Sequence, residues 1–243
     1  METSHSVFMD LQIGPMLIGL VFMAIGVFVS MRLKNKFALY SKIPTSSRMS
    51  GKEIAEKMLR DHGIYNVKVI SVAGQLSDHY NPMNRTVNLS HDVYEGRNAA
   101  AAAVAAHECG HAVQHATSYS MLKLRSSLVP FQQVSGTILN IILMAAMFGG
   151  AFLYSAFPIN TMLYIIIGCY AFFTLFSLVT LPVEFDASKR ALQWMTSSGI
   201  TTQREYEGSK DALKWAALTY VVAAIGSIAT LLYYISLLNR SND

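Results

Sequence analysis

Four stretches of the chain are almost purely apolar for more than twenty positions each: residues 11–31, roughly 134–157, 159–181 and 216–238. As helices they are long enough to cross a hydrocarbon core of about 30 Å, and a soluble domain of 243 residues cannot enclose four of them. Between the first and second runs the pattern changes period. Ser50 with Glu53 is a capping-box signal, Ile54, Ala55, Met58 and Leu59 supply a helical apolar stripe, and Gly63 is placed to stop that helix. Residues 67–72 then alternate as a strand. Asn81-Pro82-Met83-Asn84 is a turn signal between two short extended segments, the second holding Thr86-Val87-Asn88-Leu89. A helix follows, with Asn98 as its cap and residues 99–106 as a run of small, helix-favouring side chains. A last amphipathic helix carries Ala187, Ala191, Trp194 and Met195 on one face and ends at Gly199; Thr202 with Glu205 caps the helix entering the fourth run. Pro182 suits the first turn of a new helix after the third run.

The composition, 52% hydrophobic and 14% charged, agrees with a membrane protein. The arrangement of charge adds an orientation. Of 19 Lys and Arg, 13 fall between Arg32 and Arg125, five between Lys189 and Lys214, and only Arg240 lies elsewhere. The positive-inside rule therefore puts both segments in the cytoplasm, and the hairpin of runs two and three, turning near Pro158, returns the chain to the same side. Glu2 and Asp10 precede the first run while Arg32, Lys34 and Lys36 follow it, which is the reverse of a cleaved signal, so that run is expected to stay as an anchor. The net charge of +4 reflects this topology, and no nucleic-acid role is expected. Cys109 sits in the polar segment after the first run and Cys169 inside the third run, one on each side of the membrane interface, and no disulfide is expected between them.

The chemistry lies in His107-Glu108-Cys109-Gly110-His111, an HExxH motif inside the helix after Asn98. Two histidines four residues apart share a helix face about 6 Å apart along the axis, so both imidazoles reach one zinc ion while Glu108 stands beside it as a base. Cys109 is turned about 200° from His107 and points away, and Gly110 lets another backbone approach. A catalytic zinc needs a third protein ligand. His115 is about 12 Å along the helix from His107 and cannot converge with it. Gln114 and Thr117 stand where a metzincin has Gly and a ligand, which excludes that class. Glu184, at the start of the segment after the third run, is the best candidate and Asp186 the alternative; Ser188 shares the face of Glu184 and can support a ligand. His79, Tyr80, Tyr94, His115 and Arg190 are all available as oxyanion donors, and sequence does not choose among them.

These blocks, Ser77-Asp-His-Tyr-Asn-Pro82, the alanine run into His107-Glu-Cys-Gly-His-Ala-Val-Gln-His115, and Pro182-Val-Glu-Phe-Asp-Ala-Ser188, resemble the YugP-like neutral zinc metallopeptidases of bacterial membranes in order and spacing over nearly the whole chain. More distantly the chain looks like the HtpX-type membrane gluzincins, but Ser188 stands where those relatives carry an Asp, so that carboxylate cannot be carried over. The resemblance implies Glu184 as the third ligand of one zinc per chain, and a metalloendopeptidase acting on protein or peptide substrates at the lipid bilayer, with Glu108 as the base. The fold expected is mostly α, a four-span integral membrane protein with a small cytoplasmic α+β zincin-like catalytic region. Its parts are an anchor at 1–31, a catalytic segment at 32–133, a transmembrane hairpin at 134–181, cytoplasmic helices with the third ligand at 182–215, and a last span with tail at 216–243. A location in the plasma membrane, of the bacterial inner-membrane type, with the site facing the cytoplasm follows from the same reading. An extended substrate is expected to pair with Thr86–Leu89 as an edge strand beside the metal. The rival readings are an intramembrane-cleaving protease and a non-catalytic zinc-binding membrane scaffold. Substrate identity and oligomeric state are not legible.

Overall fold

The computed structural model describes the backbone of residues 2–156 and 158–242 and the side chains of residues 13–145 and 158–241. The first two positions of the first expected span and the far half of the second therefore lie outside the described side chains, and Phe157, before the turn expected near Pro158, lies outside the described residues altogether. The elements run α1 (Glu2–Tyr40), α2 (Gly51–Asp61), β1 (Lys68–Val72), β2 (His79–Asn81), β3 (Thr86–Ser90), α3 (His91–Tyr94), α4 (Ala99–Ala116), α5 (Ser120–Ala156), α6 (Ile159–Ser197) and α7 (Gln203–Asn242).

Four of these helices are long and apolar enough to cross a membrane, and the spans recognisable among the described residues are Ile13–Tyr40, Ser120–Ala145, Ile159–Ser197 and Gln203–Ser241. At 1.5 Å per residue a 39-residue helix such as α6 is about 58 Å long, nearly twice the hydrocarbon thickness, so only part of each lies in lipid. One expectation is corrected here. Pro182 does not begin a new helix but sits inside α6, which continues unbroken to Ser197. Proline removes one backbone donor there, yet Val183, Ala187 and Ala191 beyond it are fully buried, and that packing outweighs the lost bond.

The chain forms two compact units. One comprises residues 1–27, 124–180 and 220–243, the other residues 28–123 and 181–219. The first is the bundle of apolar helix segments, with a small core of Leu163, Ile166, Tyr234 and Leu237. Its outward side chains, among them Leu17, Leu20, Val21, Ile141 and Phe172, are exposed apolar groups of the kind lipid covers.

The second unit holds the three-stranded sheet in the order β1-β3-β2, with β1 parallel and β2 antiparallel to β3. Thr86–Leu89 is therefore the central strand and not an edge. β1 pairs in parallel with the open side of the β2–β3 hairpin, which leaves the two edges at β1 and β2. Val87 and Leu89 point into the main core with Ile54, Met58, Val93 and Met195. Ser50 and Glu53 close the capping box of α2, and Gly63 takes φ +68° just past its end. The Asn98 side chain accepts from Ala101 N–H at the start of α4. The alanines of α4 are buried on nearly every side, since side chains this small let α2 and the sheet pack close around one helix.

Candidate metal centre

His107 and His111 lie one turn apart on α4, with ring centroids 4.9 Å apart and planes nearly perpendicular. Glu184 comes from α6 in the same unit. Its Oε2 is 3.3 Å from His107 Nε2 and 3.6 Å from His111 Nε2. Two imidazole nitrogens and a carboxylate oxygen lie within 4.8 Å of one another, which is the donor set of a catalytic zinc site, two histidines and a glutamate. Among the described residues this is the group of His, Cys, Asp and Glu side chains gathered so closely. Asp186 and His115 are not in it.

Close approach of α4 and α6 makes this meeting possible. A Cβ on Gly110 would stand 2.5 Å from the backbone oxygen of Ala187, so only glycine fits where the two helices touch. Val183, Ala187 and Ala191 continue the buried face of α6 along that contact.

Each histidine is oriented from behind. His107 Nδ1 is 3.1 Å from Ser188 Oγ, and His111 Nδ1 donates to Gln114 Oε1 at 3.0 Å. With Nδ1 engaged, both rings turn Nε2 toward Glu184, which is the orientation a metal ligand needs. Gln114 is fully buried, and its Nε2 donates to Val183 O and Asp186 Oδ2, both at 2.8 Å. Arg190 Nε donates to the same Asp186 oxygen at 2.6 Å, and its guanidinium lies over the Tyr119 ring. Burial alone would push the His111 imidazolium down, but the carboxylates of Glu184 and Glu108 outweigh it and raise it. Burial pushes the Cys109 thiol far up, and its sulfur faces Ala55 O, away from the centre.

Glu108 is buried beside the histidines and accepts a hydrogen bond from Tyr80 N–H on the edge strand β2 at 2.9 Å. The Tyr80 hydroxyl is 2.7 Å from His115 Nδ1. Burial raises the phenol, so it stays protonated. Of the oxyanion donors considered, Tyr80 and His115 form this pair next to Glu108. Arg190 is held by Asp186, Tyr94 faces Lys52, and His79 turns to Ser77 O. Sequence reasoning missed two functional positions. Gln114 was considered only as a position where a metzincin would need glycine, although its spacing of three from His111 puts both on one helix face. The Tyr80 contact is made by a backbone amide and leaves no side-chain signal.

Comparison with known proteins agrees with this geometry. The family model described as "putative neutral zinc metallopeptidase" matches residues 15–239. The chain is 38% identical over 213 residues, 87% of this chain and 91% of the other, to the "putative membrane protease YugP" of Bacillus subtilis (strain 168). No solved structure matches.

Proposed function

We propose, from the premise that this chain belongs to the neutral zinc metallopeptidase family, that it is a multi-pass membrane endopeptidase whose site faces the cytoplasm of a bacterial plasma membrane and holds one zinc per chain. The observation that carries the reading is the His107, His111 and Glu184 cluster, with both Nδ1 atoms tied and both Nε2 atoms turned inward. These three residues are the ones that would hold the metal. Bound there, zinc supplies Lewis acidity to a scissile carbonyl and acidifies a water.

The remaining steps belong to the chain's own groups. Glu108 takes a proton at its carboxylate as water adds to the carbonyl and returns it to the departing amine nitrogen. Tyr80 N–H, on Glu108 Oε2, keeps the carboxylate in one orientation through both transfers. The Tyr80 hydroxyl and the His115 ring, paired at 2.7 Å, offer the substrate the N–H or O–H that their mutual bond leaves over. A site buried among α4, α6 and the sheet restricts water around these groups. The cytoplasmic assignment rests on 18 of 19 basic residues falling in two segments, 13 and five, which both belong on the inner side. A scaffold without chemistry would have no use for a buried glutamate beside two inward-turned histidines, and the polar stretch before Asn98 disfavours a site deep in the membrane.

Metal analysis and hydrolysis on matched variants test the proposal. Purified protein should carry about one zinc; Glu108→Gln should keep the metal and lose hydrolysis, whereas Glu184→Ala should lose both. Full occupancy and activity in Glu184→Ala would remove the third ligand from the reading.

A further inference from the structure

The membrane unit contains a half-open cavity of about 1170 Å³ to which α1, α5, α6 and α7 all contribute. Along α6 its wall runs from Met162 to Ser177, a rise of about 22 Å. On α5, Gln132, Gly136 and Asn140 follow one another at intervals of four and all face it. The two carboxamides are thus about 12 Å apart on one face of an apolar helix, and neither has a hydrogen-bond partner among the described residues. Ser227 and Thr230 also line the cavity, but their hydroxyls donate to Ala224 O and Gly226 O of their own helix. Amides facing hydrocarbon without a partner are costly, so an occupant that meets Gln132 and Asn140 is strongly favoured over one that does not.

We propose that this cavity docks a single transmembrane helix of another protein, one with hydrogen-bonding side chains about two turns apart, and that proteins anchored in this way are the substrates. The second clause rests on the peptidase reading above. Size supports a helix. With side chains a helix is about 11 Å wide, and half of such a cylinder over about 22 Å occupies about 1,000 Å³, close to the space present. A lipid acyl chain is far thinner and carries no donor or acceptor along its length. The outward face of this chain's own α1, with Leu17, Leu20 and Val21, is apolar and would leave both carboxamides unmet, which argues against a second copy. Gly136 and Ala223 keep the wall near backbone level, where helices in lipid approach closely.

The test uses the full chain with Glu108→Gln in phosphatidylglycerol nanodiscs and two synthetic Leu/Ala helices of about 24 residues. One probe bears two Asn eight residues apart and the other bears Leu there; each carries a photoreactive residue and an unstructured soluble tail. The Asn probe should cross-link into the α5 and α7 walls about tenfold more than the Leu probe, Asn140→Leu should erase that preference, and Gly136→Phe should block both. Unchanged thermal melting and undiminished cross-linking of the Leu probe in Asn140→Leu show that the variant is folded. Equal cross-linking of the two probes, or a dimer that Gly136→Phe dissociates, overturns the proposal in favour of lipid or of a second copy. With Glu108 restored, selective cross-linking without cleavage of the tail sinks the peptidase reading and leaves the docking groove standing. Cleavage of anchored and free tails alike, without selective cross-linking, sinks the groove alone.

Discussion

Gln114 makes three hydrogen bonds from a position without solvent access, to His111, Val183 and Asp186, and so ties the HExxH helix to the helix that carries Glu184. Replacing it with leucine leaves His111 Nδ1 without its acceptor and removes the donor that Val183 O and Asp186 Oδ2 receive from Gln114. Gln114→Leu should therefore weaken zinc binding about 10- to 100-fold in chelator competition, with the three ligands still present. An unchanged zinc affinity would mean that the ring is held by packing alone. His107, Glu108 and His111 were readable because helical geometry converts a spacing of four into one face. Gln114 obeys the same geometry, yet nothing in its residue type announces a metal. Glu184 and Asp186 stood as rivals because two carboxylates two residues apart look alike in sequence, whereas in the fold one faces the histidines and the other faces Gln114 and Arg190.

At the scale of elements, β3 was expected at the edge of its sheet and lies at its centre, paired with β1 on one side and β2 on the other. Val87, Asn88, Leu89 and Ser90 are all buried, because α4 covers one face and the side chain of Asp78 closes on Ser90. A proline in such a strand removes a ladder bond and cannot be absorbed as it would be at an edge. Leu89→Pro should therefore cost about 3 kcal/mol or more of stability and lose zinc along with the fold, as thermal melting and metal analysis would show. Unchanged melting and full zinc in Leu89→Pro would mean that the central pairing of β3 does not hold this unit together. The free edge beside Glu108 belongs to β2, whose three residues are too short and too polar for periodicity to single out. Boundaries set by local chemistry did emerge from sequence: the capping box at Ser50 and Glu53, the Asn98 cap, and the glycines at 63 and 199 with positive φ.

For the whole molecule, the distribution of basic residues makes a topological claim that can be read in intact cells. Reporters fused after Gly63 and after Ser198 should both report the cytoplasm, while those at the N-terminus, near Pro158 and at the C-terminus should report the opposite side. If the two basic segments reported opposite faces, Glu184 could not meet His107 and the proposed site would fail. Four apolar helices, the caps between them and the two-histidine face were determined by sequence alone, since hydropathy, helix period and cap chemistry act over a few turns of chain. The meeting of Glu184 with His107 and His111 across more than seventy residues, the continuation of α6 through Pro182, and the central place of β3 were decided by tertiary structure. Each depends on which surfaces are buried against one another, from the backbone contact at Gly110 to the covered faces of β3, and burial of that kind is a property of the packed chain that no local window contains.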